Sequence, residues 1–332
     1  MTPDTAMKYI ESSGEYNGPA DKLPFVSVVL AAYNEEKDLG RCIESLKKQD
    51  YPKYKFEIIV VDNNSTDMTA EIIKNCRVKY ILETKQGRAE ARNTGIRTAN
   101  GDIIVIIDAD CVAESNWLKN LVSGFINPDV GIVAGEIKCL EKEGLSALEE
   151  FLLKKDYLAQ KQHVEHPFLP YAATANAAYR KELFDKIGYF TLGMTGEDDA
   201  DFSWRMQIET PYKVAYSPDS VVYHSYEADI REIYRQKKRH AIGYVNLYHI
   251  YKEYRKHEKK RFKKIYWEYH SIARRWLKLL LYRLKGRITG RRLDSKSGNS
   301  SAPPVDEFQL IFETSWKIGL IKGSLKYRVW CI

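Results

Sequence analysis

Four short apolar segments, the first three each followed by a segment of helical character, constrain the fold of this 332-residue chain more than any other feature. The segments are Val26–Ala32, Phe56–Val61, Val78–Leu82 and Ile103–Ile107. Strands of a parallel sheet have this continuous apolar character, because helices cover both of its faces. The alternation therefore predicts an α/β fold, with a Rossmann-like, mostly parallel central sheet flanked by helices.

Polar residues follow each of these strands. The carboxyl ends of parallel strands meet at one edge of a sheet, and ligands bind beyond that edge. The four loops begin at Tyr33-Asn34-Glu35, Asp62–Ser65, Glu83–Arg88 and Asp108-Ala109-Asp110. The first, second and fourth of these loops are acidic or rich in amides, whereas the third is basic. We therefore expect a binding site at this edge.

The Asp108-Ala109-Asp110 loop has the composition of a divalent-cation site. Two carboxylates one residue apart can both reach a hard cation, which takes oxygen ligands and is commonly shared with substrate phosphates. Aspartate is also common in capped turns, and Asp62 could either bind a base or ribose or cap its own turn. The position beside other polar strand ends favours the metal site.

Three further groups have a structural and a functional interpretation. The carboxylates of the segment 197–201 lie close together, which suits a general base but also the start of a helix. His224 follows a strand-like segment, and could be structural or a metal ligand. Gln236 and Arg239 share a helix face, where Arg239 could bind a diphosphate or be part of a solvated basic surface.

Five segments resemble glycosyltransferase family 2 in their order and approximate spacing. They are VSVVLAAYNE (26–35), IIVVDNNSTDMT (58–69), GRAEARNTGI (87–96), GDIIVIIDAD (101–110) and GEDDADFSWR (196–205). The resemblance covers about residues 24–245. It implies a GT-A fold with a C-terminal basic helical extension, and inverting transfer of a sugar from a nucleoside diphosphate to an acceptor hydroxyl.

The resemblance also implies roles for single residues. It places Asp62 at the base, and Mg²⁺ or Mn²⁺ at Asp110, Asp108 and His224. Further nucleotide-sugar contacts are implied at Ala31, Tyr33, Glu35, Lys85, Gly87, Arg88, Asp108, Ala109, Gln236 and Arg239. In the segment TANAAYR (174–180), Asn176 would contact the donor sugar or the acceptor, and Glu197 would do the same.

Two motifs depart from the family pattern. Counted back from Phe202–Arg205, the catalytic base is Asp199, whereas counted forward from Gly196 it is Asp198. We favour Asp199, because the helix register should fix the downstream spacing. His240 stands where processive members have a tryptophan after Gln-x-x-Arg, and we do not expect processive synthesis.

The C-terminal region is strongly basic, because residues 231–293 contain 21 Lys and Arg against 4 Asp and Glu. Such a region attracts polyanions. The residues Ile265, Tyr269, Ile272, Trp276 and Leu279 form one apolar stripe, with Trp267 and Trp276 as anchors for a membrane interface. This stripe predicts an interfacial helix on an anionic membrane. The alternatives are packing against the protein's own core and, less favoured, nucleic-acid binding.

We expect three regions: an extension (1–23), a catalytic domain (24–228) and a basic helical region (229–332) with a linker at about 295–304. No apolar run reaches the 18 residues of a membrane span, and the N-terminal residues do not form a signal peptide. The five cysteines include no Cys-x-x-Cys pair, which favours a reducing compartment. We therefore expect a cytoplasmic protein bound peripherally to the inner face of the cell membrane.

The sequence thus predicts a metal-dependent inverting glycosyltransferase. Its donor would be a UDP- or GDP-sugar and its acceptor a lipid-linked (polyprenyl-linked) or envelope glycan, with no nucleic-acid partner. Three alternatives remain open. They are a polyprenyl-phosphate glycosyl synthase, a sugar-phosphate nucleotidyltransferase, and a non-catalytic module that binds a membrane surface.

Overall fold

The computed structural model describes residues 9–12, 22–140, 144–225, 229–254, 262–288 and 306–329. The chain forms two compact units. The sheet unit consists of Met1–Leu145, Leu152–Met194 and Asp198–Tyr226. The helical unit consists of Ser146–Phe151, Thr195–Glu197 and Glu227–Ile332.

The elements confirm the alternation of strands and helices in the first half of the chain. The described strands are β1 (Ile10–Glu11), β2 (Val26–Ala32), β3 (Phe56–Asp62), β4 (Lys79–Leu82), β5 (Ile103–Ile107), β6 (Cys111–Ala113), β7 (Val130–Cys139), β8 (Asn176–Arg180) and β9 (Lys213–His224). The described α-helices are α1 (Leu39–Lys47), α2 (Thr69–Asn75), α3 (Arg88–Arg97), α4 (Trp117–Ser123), α5 (Ala147–Lys154), α6 (Gln160–Val164), α7 (Glu182–Ile187), α8 (Asp198–Glu209), α9 (Ile230–Ile250), α10 (Phe262–Ile288) and α11 (Glu307–Tyr327).

The strands form one mixed sheet in the order β1-β9-β7-β8-β5-β2-β3-β4, and β6 pairs with β9. The four strands predicted from the apolar segments are parallel neighbours, with β2 between β5 and β3. Strand β8 lies between β5 and β7 and is antiparallel to both. The sheet is therefore mostly parallel, as predicted, with the antiparallel β8 at its centre and the short antiparallel β6 beside β9.

The helices cover both faces of the sheet. On one face, α1 buries Leu39, Cys42, Ile43 and Leu46, which follow the i, i+3, i+4, i+7 spacing of an apolar helix face. On the other face, Phe202 and Met206 of α8 join the core with Val29 of β2. This arrangement leaves the carboxyl ends of β2, β3 and β5 as the place where polar loops meet.

The helical unit is held together by close contact between α9 and α11. A Cβ atom added at Gly319 would lie 2.5 Å from the Cβ of Ala241, and one added at Gly323 would lie 2.8 Å from that of Val245. The two glycines are four residues apart and so share one helix face. They permit a backbone approach that a larger side chain would prevent.

The apolar stripe predicted to dock on a membrane packs inside the helical unit. Ile272 and Leu279 of α10 are buried against Leu310 of α11. The indole Nε1 of Trp276 donates to Thr314 Oγ1 at 2.8 Å. The prediction of a membrane-facing role for this stripe was therefore wrong, because α11 already covers it.

No helix in the described part of the chain combines the length and the apolar character needed to cross a membrane. Several sequence predictions lie partly or wholly outside the described residues. They concern most of the N-terminal extension and the linker at about 295–304.

Candidate active site

The loops after β2 and β3 interlock at the carboxyl edge of the sheet. The amide N–H groups of Asn34 and Glu35 donate to Ser65 Oγ and Thr69 Oγ1, at 3.0 and 2.8 Å. In return, Asn34 Oδ1 accepts from the amide N–H of Thr66 at 2.9 Å. Tyr33 is exposed beside this junction. The two loops are therefore held as one surface by hydrogen bonds.

Asp62 holds its own turn, and Asn63 positions the basic loop. Asp62 is buried, and it accepts from the Ser65 amide at 2.9 Å and from the hydroxyl of Tyr80 at 3.3 Å. Asn63 Nδ2 donates to the carbonyl of Lys85 at 2.7 Å, and its Oδ1 accepts from the amide of Gly87 at 2.8 Å. Lys85 and Arg88 consequently lie exposed at the same edge. Sequence reasoning missed Asn63, whose amide side chain carries no motif of its own.

Carboxylates converge beside this surface. Burial, together with the charges of Asp110, Asp108, Asp38 and Asp67, raises the pKa of Glu35 to about 8. Burial also raises the pKa of Asp110 to about 6, with His224 opposing the shift and Asp108 adding to it. A site that makes carboxylates hold protons near neutrality favours a bound cation, which would remove their mutual repulsion.

Asp110 and His224 form the geometry of a metal site. Strand pairing places Cys111 opposite His224. Among the described residues, the ligand atoms of Asp110, Cys111 and His224 lie within 4.8 Å of one another. Burial raises the pKa of the Cys111 thiol well above its ordinary value, which disfavours the thiolate that binds metals. The oxygen of Asp110 and the nitrogen of His224 remain as the suitable donors.

The contacts of His224 direct its Nε2 atom toward Asp110. Nδ1 lies 2.7 Å from the carbonyl oxygen of Ser225, which can only accept, so Nδ1 carries the proton. Nε2 lies 3.1 Å from Asp110 Oδ2, so a proton joins these two atoms when no cation is bound, and a cation would displace that proton and take the lone pair of Nε2. A metal-binding histidine is commonly fixed in this way by a hydrogen bond from its other nitrogen. The residues present therefore fit a divalent cation.

Asp108 has a different partner. Its Oδ1 accepts from Arg92 Nη2 at 3.3 Å, and Arg92 Nη1 donates to Asp198 at 3.0 Å. The side chains of Arg92 and Asp198 are only 4% and 8% exposed. Burial opposes the charge of Arg92, but the two carboxylates outweigh it and raise its pKa. Arg92 thus joins the loop after β5 to the start of α8, which sequence reasoning did not foresee.

The candidate bases Asp198 and Asp199 begin α8 and differ in their surroundings. Asp198 is buried in the ion pair with Arg92. Asp199 is partly exposed, and its Oδ1 accepts from the amide of Ala200 at 2.8 Å. A base must reach a substrate proton, so this difference in exposure favours Asp199. Farther along α8, Asp201 pairs with Arg205 at 3.0 Å.

Two predicted contacts lie in the interior. Asn176 is fully buried, and its side chain bonds to Trp117, Glu136 and Ser220, all at 2.8 Å. Its amide therefore ties the sheet together, in place of the expected sugar contact. Ala109 is also buried, and its side chain packs in the core instead of lining a pocket. Ala31 is half-buried at the end of β2.

The helical unit contains Glu197 and the motif around Arg239. Glu197 adopts the left-handed conformation, with φ of 64°. Its Oε1 lies 2.8 Å from His240 Nδ1 on α9. A Cβ atom on Gly243 would lie 2.9 Å from Glu197 Cγ, so this glycine makes room for the segment. Gln236 is half-buried on the same helix and Arg239 is exposed.

Comparison with known proteins shows that this chain is similar to sugar-transferring enzymes. The family model described as glycosyl transferase family 2 matches residues 27–188. Glycosyltransferase AglE of Haloferax volcanii is 29% identical over 213 residues, covering 61% of this chain and 67% of that protein.

A second relative, from Methanococcus voltae, is 36% identical over 108 residues, covering 30% of this chain and 34% of that protein. It is a dolichyl N-acetyl-alpha-D-glucosaminyl phosphate 3-beta-D-2,3-diacetamido-2,3-dideoxy-beta-D-glucuronosyltransferase. The chain thus spans about a third to two thirds of the length of these two relatives.

A solved structure is similar over most of both chains. It is the mannosyltransferase PcManGT from Pyrobaculum calidifontis in complex with GDP-Man and Mn²⁺. The TM-score is 0.60 and the identity 22%, over 95% of this chain and 91% of that one. At this identity the likeness concerns the fold.

Proposed function

Because this chain belongs to glycosyl transferase family 2, we propose that it is a divalent-cation-dependent, inverting enzyme that uses a nucleoside-diphosphate sugar. It is a glycosyltransferase with the GT-A fold. The proposed donor is a UDP- or GDP-sugar, and the proposed acceptor is a hydroxyl group of a lipid-linked or envelope glycan. GDP-Man in the similar mannosyltransferase and the dolichyl-linked acceptor named for the Methanococcus relative support these classes.

The observation that carries the proposal is the approach of His224 Nε2 to Asp110 Oδ2 at 3.1 Å, with Nδ1 of the same ring donating to the carbonyl of Ser225. Asp110 and His224 would hold Mg²⁺ or Mn²⁺, with further ligands from the diphosphate of the donor. A bound cation would neutralise the negative charge that develops on the leaving diphosphate. Lys85 and Arg88 are proposed to contact the same diphosphate, and the nucleotide-sugar contacts that the family resemblance implies for Gln236 and Arg239 stay predictions. Ala31, Tyr33, Glu35 and Asp62 are proposed to bind the nucleoside, with Gly87 and Asp108 beside it.

Asp199 is proposed as the base. Its carboxylate would accept the proton of the acceptor hydroxyl as that oxygen attacks the anomeric carbon. The bond from the anomeric carbon to the diphosphate breaks on the opposite side, so one in-line displacement inverts the configuration. Arg92 would orient the start of α8 through Asp198, and so act as a positioning residue. The sugar contact that the resemblance implies for Glu197 stays a prediction.

We also propose that the helical unit binds the surface of an anionic membrane. Leu277, Leu280, Leu281 and Leu284 are each 44–56% exposed and share one face of α10 by their i, i+3, i+4, i+7 spacing. We call these four residues the leucine face. The exposed cations Arg274 and Lys278 lie on the same helix. Exposed apolar residues combined with cations are typical of helices that lie in a membrane interface.

Co-sedimentation with vesicles of phosphatidylglycerol tests the membrane proposal. The double variant Leu277→Glu/Leu281→Glu should remain in the supernatant, whereas the wild type should pellet. Leu325→Glu is the matched control, because Leu325 is exposed on α11 outside the leucine face. Equal sedimentation of the double variant and the wild type would contradict the proposal.

Thermal unfolding with a panel of UDP-, GDP-, dTDP- and CMP-sugars, with and without Mn²⁺, tests the donor and the cation. A ligand at 100 times its dissociation constant adds about 2.7 kcal/mol to the free energy of unfolding. We expect a Mn²⁺-dependent gain with UDP- or GDP-sugars, lost in Asp110→Asn but kept in the exposed control Asp50→Asn. A gain that Asp110→Asn leaves unchanged would refute the assignment of the metal site.

A further inference from the structure

Within the sheet unit, Ser225 connects the two proposed ligands of the cation. It follows His224, the last residue of β9, and so lies beyond the paired strands. Its amide N–H donates to the carbonyl oxygen of Asp110 at 3.2 Å. Its own carbonyl oxygen accepts from His224 Nδ1 at 2.7 Å. The position of Ser225 therefore affects the direction in which Nε2 of the histidine points.

Arg41 of α1 holds the side chain of Ser225. Its Nη2 donates to Ser225 Oγ at 2.8 Å, although the two residues are 184 positions apart in the sequence. The same nitrogen forms an ion pair with Asp38. The side chains of Arg41 and Asp38 are 47% and 18% exposed, and ion pairs of this exposure add little to the stability of a fold. The contact that bears on the site is the one to Ser225.

Helix α1 gives Arg41 a fixed support beside the metal site. Cys42 Sγ lies 3.7 Å from the carbonyl oxygen of Asp108. Ser45 Oγ accepts from the amide of Ala113 at 3.1 Å. Arg41 and Ser45 are four residues apart and so share one face of the helix. The helix thus contacts the segment from Asp108 to Ala113 near both of its ends.

We propose that Arg41 is a positioning residue of the metal site, which orients His224 through Ser225. The guanidinium fixes the side chain of Ser225, and the carbonyl group of that residue holds the imidazole by its Nδ1–H. Partners behind a metal ligand fix its orientation, and their loss typically lowers metal affinity about 10- to 100-fold. The inference rests on the proposed function, because it takes Asp110 and His224 as the ligands of the cation.

The charge of Arg41 by itself predicts the opposite effect. Arg41 pairs with Asp38, whose charge contributes to the raised pKa of Asp110. Removal of the guanidinium would leave the charge of Asp38 unopposed, and a more negative site attracts a cation more strongly. A weaker affinity for Mn²⁺ without Arg41 therefore identifies an effect of position.

Titration of Mn²⁺ into the full chain tests the inference, with the electron paramagnetic resonance signal of free Mn²⁺ as the readout. The titration is run without nucleotide and again with UDP and with GDP, and variants are compared where the wild type binds Mn²⁺ most tightly. We expect Arg41→Ala to weaken Mn²⁺ binding about tenfold or more. Lys47→Ala should leave the affinity unchanged. It is the matched control, because Lys47 is a cation of the same helix that pairs with Glu44.

Three more variants separate position from charge. Arg41→Lys, which keeps the charge and a donor group, should bind Mn²⁺ more tightly than Arg41→Ala. Ser225→Ala removes the acceptor of Arg41 but keeps the carbonyl group, and it should also weaken binding. The double variant Arg41→Ala/Ser225→Ala should bind no more weakly than the weaker single variant, because both changes break one contact. All variants are compared at equal helix content by circular dichroism.

Three results would overturn the inference alone, provided that Asp110→Asn still loses Mn²⁺ binding. They are an affinity of Arg41→Ala equal to or above that of the wild type, an affinity of Arg41→Lys no better than that of Arg41→Ala, and additive losses in the double variant. A wild type that binds no Mn²⁺ in any of the three conditions, or an Asp110→Asn variant that binds it equally, would refute the proposed metal site and the inference with it.

Discussion

Replacement of Arg92 by methionine is the perturbation with the clearest consequence in this structure. Arg92→Met removes a guanidinium that is 4% exposed and leaves the carboxylate of Asp198, 8% exposed, without its ion-pair partner. Removing one member of a buried pair costs about 3–5 kcal/mol, since the remaining charge stays desolvated. The second partner, Asp108, is 37% exposed and is solvated without Arg92. We therefore expect a loss of about 3–5 kcal/mol from the free energy of unfolding.

The double variant Arg92→Met/Asp198→Asn separates the buried charge from the loss of packing. Asparagine removes the charge that Arg92→Met leaves behind, so the double variant should be about 1–3 kcal/mol more stable than Arg92→Met alone. Urea unfolding at pH 7, followed by circular dichroism and tryptophan fluorescence, measures both values when the two transitions coincide. A cost below about 1 kcal/mol for Arg92→Met, or no recovery in the double variant, would refute this account.

Three further predictions concern the site. Asp199→Asn should lower kcat about 100- to 10,000-fold with donor binding unchanged, as removal of a general base does; near-normal kcat in a transfer assay would exclude Asp199. The pKa of Glu35 is raised to about 8 from 4.5, so its contribution to stability is present below pH 4.5 and is lost as pH rises through 8. Mn²⁺ should therefore raise the melting temperature more at pH 8 than at pH 5.5, and Glu35→Gln should remove much of this difference; equal Mn²⁺ gains at both pH values in the wild type would refute this. His240→Ala should lower kcat because it releases Glu197, whereas His240→Gln, which keeps a hydrogen-bonding group, should retain more activity; equal kinetics in both would contradict a role for the contact.

The local pattern of residues was sufficient to predict the strands of the central sheet. Each of the four predicted strands is an apolar run whose character depends only on its own residues, and α1 after the first of them has its own apolar period. The edge where their polar ends meet follows from parallel pairing, so Asp62, Asp108 and Asp110 could be placed there from the sequence. His224 joins Asp110 through the pairing of β6 with β9, which no local pattern predicts.

The roles of buried polar residues were harder to predict from the sequence. Asn176 is a polar residue of the kind that binding sites contain, yet its side-chain amide forms hydrogen bonds with Trp117 and with two carbonyl groups of the sheet. Arg92 lies within a helix of ordinary appearance, yet it is a buried cation of the site. Whether such a residue contacts a ligand or the protein depends on partners that are distant in sequence, because a buried polar group must be paired by whatever lies nearby.

The sequence by itself determined the α/β class, the acidic edge and the basic helical region, because periodicity and charge are properties of consecutive residues. Only the tertiary structure decided which of two apolar stripes on α10 is covered. Both stripes have helical spacing, and the choice between them depends on α11. Its Leu310 and Thr314 meet Ile272, Leu279 and Trp276 although they lie more than thirty residues away in the sequence. The structure likewise decided that Arg92 holds Asp198 and that Asp199 stays partly exposed, because burial is a property of the packed chain.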